Sequence, residues 1–234
     1  MDRNCDLPYF PPKCVELKIT CDDDAFSSFR HLSMTLYKVI VLRDGYSKTE
    51  NGQYKANGSS TLVVGPKYSV IVDTLSPWDR DDLLSALNDE GVSPSEITHV
   101  VNTHTHPDHC GNNNLFTGEN VLHIIGCTVH CKDVYFLEPN LEEGEELCID
   151  GEDLKVIPTA GHTLDSVSLL VKTESGIVVV AGDTFEKQED LSDDSIWLEA
   201  GSQDEQRQRE NRARILELAD YIVPGHGPMF KVSK

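Results

Sequence analysis

Short runs of β-branched and aliphatic residues recur along the chain between turn residues, and they fall into two blocks. Runs of this length that are bounded by Gly, Asn and Ser turns are typical of strands. The predicted strands are LYKVIVL (36–42), STLVVG (60–65), SVIVDT (69–74) and ITHVVN (97–102) in the first block, and LKVIPTA (154–160), VSLLVKT (167–173), GIVVVAGD (176–183) and YIV (221–223) in the second. The Glu-Ser-Gly turn at 174–176 predicts a hairpin, and Asn-Gly and Gly-Ser turns separate the first two runs.

Two segments predict helices outside these strands. In residues 79–91 three leucines share one face, acidic residues fill the first turn, and Gly91 provides a stop. Residues 204–220 form a charged segment with aliphatic residues near its end. Such a segment is usually a solvated face, and the alternative is that it packs against a second subunit in a homodimer. Two blocks of strands, each followed by a helix, predict a two-sheet core with helices outside.

The first thirty residues differ from the rest because they are rich in Pro and Asp and lack clear periodicity. They predict an irregular N-terminal arm over 1–30, or a first edge element of a sheet. The remaining residues, 31–234, have a length that fits one ordinary domain. No strong repeat and no linker divides them, so a single domain is expected.

The composition, with 38% hydrophobic and 26% charged residues, indicates a globular protein. No apolar run reaches the roughly 18–20 residues needed to cross a bilayer, and the start MDRNCDLPYF lacks a secretion signal. We therefore expect no membrane association and a cytoplasmic location, with the nucleus as a second compartment. A net charge of −20 repels polyanions, so DNA is not an expected partner.

Seven cysteines are present, an odd number without a CxxC pair. Reduced thiols are therefore expected rather than a disulfide framework. Cys110 follows the histidine segment described next, and a small packed residue is the favoured interpretation of it over a nucleophile.

The strongest chemical signal is the segment THTHPDH. His104 and His106 are two positions apart, so their side chains leave an extended segment on the same side. The proline that follows forces a turn, after which Asp108 and His109 can point into the same space. Three imidazoles and a carboxylate in six residues suit a borderline-soft divalent ion such as zinc. The alternative is a polar surface loop that happens to be rich in histidine.

Three turns of small residues, each at the end of a predicted strand, would present one further ligand apiece. They are Gly161-His162-Thr163, Gly182-Asp183-Thr184 and Pro224-Gly225-His226-Gly227. A single Gly-His or Gly-Asp pair is weak evidence, because most such pairs are ordinary turns. Their shared position at strand ends favours one common site with the histidine segment.

In this order, THxHxDH, GH, GD and PGHG resemble the motifs of the metallo-β-lactamase superfamily over roughly residues 35–230. Asp73, which ends the run SVIVDT, matches the first motif of that superfamily. The segments VVNTHTHPDHCGNNNLF, VVVAGDTFE, DSIW and ADYIVPGHGPMF are similar to the metallo-β-lactamase domain-containing protein 1 family, whereas AGHTLDSVS resembles the glyoxalase II turn. The resemblance implies an α/β fold, a four-layer αβ/βα sandwich.

The same resemblance implies a role for each candidate ligand, with two groups of three that hold one metal ion each and one residue that bridges the ions. These are His104, His106 and His162; Asp108, His109 and His226; and Asp183. Asp73 would be a supporting carboxylate that orients the histidine segment, or alternatively a capping residue in a turn. The implied cofactor is a pair of zinc ions, with iron or manganese as alternatives.

Such a ligand set implies hydrolysis. Two ions about 3.5–4 Å apart would share a hydroxide, because coordination lowers the pKa of water towards roughly 7. This hydroxide would attack a carbonyl carbon or a phosphorus. The catalytic candidates are Asp183, as the bridging carboxylate, and Asp108, which would protonate the leaving group unless a metal-bound water does so.

Several substrates remain open. The resemblance implies endonucleolytic cleavage of RNA, in the maturation of histone pre-messenger RNA 3′ ends, but the acidic composition argues against unaided RNA binding. A small-molecule thioester or lactone fits the acidic composition and the GHT turn equally well. A non-catalytic metal-binding interaction protein is less favoured, because all seven ligands are present. A mononuclear iron oxygenase is a fourth hypothesis, since ligand types alone do not exclude iron.

Overall fold

The computed structural model describes residues 14–16 and 35–234. The strands are β1 (Cys14–Glu16), β2 (Lys38–Arg43), β3 (Tyr46–Glu50), β4 (Gln53–Asn57), β5 (Ser60–Val64), β6 (Ser69–Val72), β7 (His99–Asn102), β8 (Leu122–Ile125), β9 (Thr128–Cys131), β10 (Val134–Phe136), β11 (Glu146–Asp150), β12 (Leu154–Pro158), β13 (Val167–Thr173), β14 (Gly176–Gly182), β15 (Tyr221–Pro224) and β16 (Phe230–Lys231). The α-helices are α1 (Arg80–Asp89), α2 (Pro107–Cys110), α3 (Ser195–Ala200) and α4 (Glu205–Leu218).

Two seven-stranded sheets and one hairpin contain these strands. The first sheet has the order β1-β11-β12-β13-β14-β15-β16, the second has the order β10-β9-β8-β7-β6-β5-β2, and β3 and β4 form a separate hairpin. In the first sheet β14 and β15 are parallel, and in the second β6 and β7 are parallel. Because parallel neighbours end at the same edge of a sheet, the side chains that follow each of these pairs come together.

An aliphatic core lies between the two sheets, and the alternation along each strand decides which residues enter it. In β6, Val70 and Val72 belong to this core, whereas Ile71 belongs to a second cluster on the opposite face. In β14, Val180 faces the shared core and Val179 faces away from it. This period of two follows from the extended backbone.

A helix covers the outer face of each sheet. Leu83 and Leu87 of α1 are fully buried against the second sheet, and Ile215 of α4 is fully buried against the first. Burial of each such side chain stabilises the fold by about 1.5–3 kcal/mol. The resulting order of helix, sheet, sheet and helix confirms the predicted αβ/βα sandwich. Within the described residues, no helix is both long and apolar enough to cross a membrane.

The strands and helices predicted in both blocks are present, with ends that differ by a few residues. The predicted helix at 79–91 is α1, which ends at Asp89, and Gly91 has the left-handed φ of 67° that favours glycine. The hairpin predicted around the turn at 174–176 is β13 and β14. Periodicity and turn residues were therefore sufficient for these elements.

The β3–β4 hairpin and the strands β8 to β11 were not predicted. Asn51 and Gly52, at the tip of the hairpin, both have positive φ, as a two-residue turn of the Asn-Gly type requires. The sequence predicts this turn but not the strands beside it, because their side chains are mostly exposed and the only alternation of apolar and polar residues is the pair Tyr54 and Ala56 in β4. Strands β8 to β11 are only three to five residues long and include histidines and cysteines, which weakens the pattern.

In the N-terminal region, Cys14–Glu16 pairs in parallel with β11 at the edge of the first sheet. This is the edge element that the sequence left open beside an irregular arm. The rest of the predicted arm, residues 1–13 and 17–30, lies outside the described residues.

The expectation of reduced thiols is wrong for Cys148, which is disulfide-bonded and whose side chain is buried. Cys110 and Cys127 do carry free thiols. The number and spacing of cysteines say nothing about which sulfur atoms the fold brings within bonding distance, so sequence counting could not foresee this bond.

Candidate metal centre

The candidate ligands follow strands of both sheets. The segment from His104 to His109 follows β7 of the second sheet. His162, Asp183 and His226 follow β12, β14 and β15 of the first sheet, and these turns meet the histidine segment at one end of the sandwich. The structure therefore brings together all seven residues that the sequence singled out as ligands.

Three histidines form one half of the centre, which we call the histidine half. Nδ1 of His106 lies 3.0 Å from Nε2 of His104 and 3.1 Å from Nε2 of His162. Oδ2 of Asp183 lies 3.5 Å from Nε2 of His104 and 3.3 Å from Nε2 of His162. His104 and His162 are buried, whereas His106 is exposed, so this half is open to solvent on one side.

Asp108, His109 and His226 form the other half, which we call the carboxylate half. Oδ2 of Asp108 lies 3.9 Å from Nε2 of His109 and 4.0 Å from Nε2 of His226. Asp183 reaches this half too, because its Oδ1 lies 3.2 Å from Nε2 of His109 and its Oδ2 lies 3.2 Å from Nε2 of His226. Asp183 is thus the one residue of the seven with a carboxylate oxygen close to histidines of both halves.

Contacts on the far side of the imidazole rings fix their protons. Nδ1 of His109 donates to Asp73, Nδ1 of His162 donates to the carbonyl of Gly201, and Nδ1 of His226 donates to the carbonyl of Asn57. A neutral imidazole that donates from Nδ1 presents a lone pair at Nε2. In each of these three histidines, that lone pair faces a carboxylate oxygen of Asp183.

This arrangement fits a bound cation. A lone pair that faces a carboxylate oxygen at little more than 3 Å is repelled by it unless a proton or a metal ion lies between the two atoms. Nε2 of His109 and Oδ1 of Asp183 are both buried, and neither makes a hydrogen bond within the described residues. Buried polar atoms normally find a partner, and a divalent ion would supply one for both atoms. The donor set of imidazoles and carboxylates can therefore hold metal.

Asp73 lies directly behind the histidine segment. Its carboxylate accepts hydrogen bonds from the backbone N–H and the hydroxyl of Thr103, each at 2.8 Å, and from Nδ1 of His109 at 2.8 Å. It is buried and has a left-handed φ of 56°, which Asp tolerates better than most residues. This is the supporting position that the sequence resemblance implied for Asp73, since these three bonds tie the segment to the end of β6.

Two glycines permit the close approach of the turns. A Cβ atom at Gly182, which has a φ of 52°, would overlap the hydroxyl of Thr103. A Cβ atom at Gly225 would overlap Oδ1 of Asp183. Glycine at these positions therefore lets the first sheet bring Asp183 and His226 against the ligands of the second.

Helix α4 supports the turn that carries Asp183. The sequence pattern of this helix did not predict that role. Nε2 of Gln208 donates to the carbonyl of Asp183, and Arg212 donates to the carbonyl of Thr184 at 2.8 Å. Arg212 also pairs with the buried Asp190 at 2.9 Å. A stripe with i, i+4 spacing was the available signal, since Gln208 and Arg212 lie on the same buried face as Ile215.

The pKa values of the buried histidines in the centre are shifted in opposite directions. Burial lowers the pKa of His104 well below its usual value and also lowers that of His162. Burial acts in the same sense on His109 and His226, but the carboxylates around them together outweigh it, Asp183 first, with Asp73 beside His109 and Glu186 beside His226. The pKa of His109 is therefore raised well above normal and that of His226 to about 9. Conversely, burial would raise the pKa of Asp183, but His109 and His226 hold it well below its ordinary value.

Glu186 is a second residue near the centre that the sequence did not single out. One of its carboxylate oxygens lies within 4.8 Å of ligand atoms of Asp183 and His226. Burial, together with the neighbouring charge of Asp183, raises the pKa of Glu186 to about 8. No sequence motif marks Glu186, because its position in the run AGDTFEK has no spacing typical of a metal ligand.

The family model of the metallo-β-lactamase superfamily matches residues 54–226, which contain all seven candidate ligands. Metallo-β-lactamase domain-containing protein 1 of Xenopus laevis is 43% identical over 207 residues, a match that covers 87% of this chain and 85% of the relative. The protein of the same name from Homo sapiens is 37% identical over 226 residues, covering 84% of this chain and 82% of the relative. A metallo-β-lactamase structure from Thermotoga maritima, 23% identical, has the same fold, with a TM-score of 0.57 and coverage of 84% of this chain and 99% of that one. The chain therefore belongs to the metallo-β-lactamase superfamily of metal-dependent hydrolases and, within it, to the family of metallo-β-lactamase domain-containing protein 1.

Proposed function

We propose that the chain is a hydrolase that uses two divalent ions, zinc in the first place, with iron or manganese as alternatives. His104, His106 and His162 would hold the first ion, and the carboxylate half would hold the second. The observation that carries the proposal is the position of Asp183, whose two carboxylate oxygens face lone pairs of histidines in both halves. A carboxylate in this position can serve two adjacent ions at once, one with each oxygen.

When bound, the ions lower the pKa of a coordinated water towards neutrality and stabilise negative charge that develops on a substrate oxygen. The residues of the chain orient the substrate and handle the proton. Asp108 is suited to give a proton to the leaving group, because its side chain is 22% exposed whereas that of Asp183 is 4% exposed. Asp183 is almost fully buried, and its role would be to contribute a carboxylate oxygen to each half of the centre.

For the substrate we propose the phosphodiester bonds of RNA, including the 3′ ends of histone pre-messenger RNA, which the resemblance of the motifs implies. Cleavage of a phosphodiester requires a nucleophile and stabilisation of charge on the phosphoryl oxygens, and a pair of ions supplies both. Recognition of the rest of the RNA would depend on a partner protein, since the chain carries a net charge of −20.

A second candidate substrate class is a thioester or lactone, and the pairing of surface cations favours it. Arg43 pairs with Asp82, Lys67 pairs with Asp150, and Lys55, on the hairpin beside the centre, pairs with Glu50. Cations that are already paired with carboxylates contribute little to the release of counterions from a nucleic acid. A small neutral or anionic acyl substrate needs no such cationic track.

Incubation of the metal-loaded protein with labelled single-stranded RNA, acyl-thioesters and lactones distinguishes these classes. We expect cleavage of RNA that is lost in His104→Ala and retained in His130→Ala, since His130 lies on β9 outside the centre. Turnover of thioesters or lactones without RNA cleavage would replace the first substrate by the second. Absence of all hydrolysis in a protein that holds two ions would contradict the proposed function.

A further inference from the structure

Glu186 has two buried carboxyl oxygens for which the described part of the chain provides no hydrogen bond. Its side chain is 1% exposed, and neither carboxylate oxygen has a hydrogen-bond partner within the described residues. Buried polar atoms normally have a hydrogen-bond partner or bind a metal ion, so two unpartnered carboxyl oxygens point to a ligand that the chain itself does not supply.

The neighbouring Asp190 shows what a satisfied carboxylate in this region looks like. Asp190 is also fully buried, but it pairs with Arg212 at 2.9 Å and accepts the backbone N–H of Glu186 at 2.7 Å. The cation that follows Glu186 in sequence, Lys187, directs its ammonium group to the carbonyl of Ser47 instead. The protein thus provides a partner for Asp190, while the nearest lysine along the chain is engaged elsewhere.

The backbone holds Glu186 firmly beside the carboxylate half. The N–H of His226 donates to the carbonyl of Glu186 at 2.8 Å, and the N–H of Gly225 donates to that of Phe185 at 2.9 Å. The carboxylate of Glu186 converges with ligand atoms of Asp183 and His226, all within 4.8 Å of one another. Two buried carboxylates this close are both ionised only when a cation lies near them.

We propose that Glu186 is an additional ligand for the second ion, on the His226 side of the centre. This inference rests on the proposed two-ion function and adds a residue to it. With Asp108, Asp183 and Glu186, the second position would be rich in oxygen, whereas the first position has three imidazoles. Oxygen ligands favour harder divalent cations such as Mn²⁺, so the two positions would differ in metal preference.

Titration of metal-free protein with Mn²⁺ alone, followed by the electron paramagnetic resonance signal of the free ion, tests this inference. We expect the wild type to bind two Mn²⁺ per chain, and Glu186→Gln to keep one ion while binding the second on the order of 10–100-fold more weakly. Glu189→Gln is the matched control, because Glu189 is an exposed glutamate three positions further on and should leave both affinities unchanged.

Thermal unfolding of the metal-free proteins provides the readout of folding. We expect metal-free Glu186→Gln to melt at or above the temperature of the wild type, because glutamine has the same shape, removes no hydrogen bond of the described residues and carries no charge beside Asp183. A clear decrease would show that the carboxylate stabilises the chain by itself and would overturn the inference. Two ions bound by Glu186→Gln with wild-type affinities would also overturn it and leave the proposed function intact. A wild type that binds fewer than two ions would overturn both.

Discussion

The two halves of the metal centre hold their histidines in different ways. In the histidine half, the far sides of the rings contact neutral groups, the hydroxyl of Thr103 and the carbonyl of Gly201. In the carboxylate half, Asp73 lies behind His109, and Asp108 and Glu186 lie nearby. Burial lowers the pKa of His104 and His162 in the first half, whereas carboxylates, Asp183 first, raise the pKa of His109 and His226 in the second.

This difference teaches how one fold can prepare two unlike positions a few ångströms apart. Neutral imidazoles bind an ion mainly by donating lone pairs. They carry no charge, so the ion does not have to relieve any repulsion between them. A cluster of carboxylates around imidazoles needs the positive charge itself, because the carboxylates otherwise repel one another. We therefore expect substitutions in the two halves to affect metal binding separately, except at the residue they share.

The largest effect is expected for Asp183→Asn, which removes charge from both halves. We expect the metal content to fall from two ions to fewer than one per chain, and hydrolysis to fall by about 100-fold or more. Elemental analysis of the purified variant measures this, with Asp133→Asn at an exposed site as the control. Retention of both ions would contradict the shared role of Asp183.

His162→Ala and His226→Ala test whether the halves are separable. Each variant should retain about one ion per chain, because each removes a ligand from one half only. Metal analysis of the two proteins, prepared in parallel, gives the answer. The loss of both ions in either variant would show that the halves load together and are not independent positions.

Asp73→Asn should produce a smaller and one-sided effect. Asparagine cannot accept all three hydrogen bonds in the same way, so the orientation of His109 loosens, and the second ion should bind about 10–100-fold more weakly. The free energy of unfolding should decrease by about 1–3 kcal/mol. Chelator competition and denaturant unfolding measure the two effects, with the exposed Asp89→Asn as the control. An equal weakening of both ions would argue against a role confined to one half.

The smallest effect on metal binding is expected for His99, which lies outside the centre and is a buried histidine with no carboxylate partner among the described residues. Burial lowers its pKa to about 4, so between pH 6.5 and pH 4 the unfolded chain binds a proton that the folded chain does not. Stability therefore falls as the pH decreases through this window, by up to about 3 kcal/mol. In His99→Phe this part of the acid sensitivity should disappear while the metal content stays at the wild-type value. Unfolding curves at several pH values measure it, and an unchanged pH dependence would contradict the role of burial.

The sequence could predict the candidate ligands because each of them lies in a short local motif. His104 to His109 form one continuous motif, and His162, Asp183 and His226 each follow a glycine at the end of an aliphatic run. The pattern of strands, which a period of two reveals, then indicates that these turns share one edge of the sandwich.

The supporting residues could not be predicted, because their roles depend on contacts that are distant in sequence. Gln208 supports the backbone of Asp183 from a helix that reads as a charged, solvated segment. One face of that helix, which includes Arg212, is buried within the chain. A homodimer that forms through the opposite, exposed face stays a prediction. Glu186 is noticeable only because the fold deprives it of partners, and the disulfide of Cys148 likewise depends on the fold rather than on spacing.

The ligands come from both sheets, and this has a consequence for folding. Ions held between the turn after β7 and the turns after β12, β14 and β15 would cross-link the two sheets at one end of the sandwich. Anything that binds the folded chain and not the unfolded one adds to its stability, by about 4 kcal/mol when the free ion exceeds its dissociation constant a thousandfold. Supply of metal in the cell would then govern how long the protein survives, as well as how fast it works.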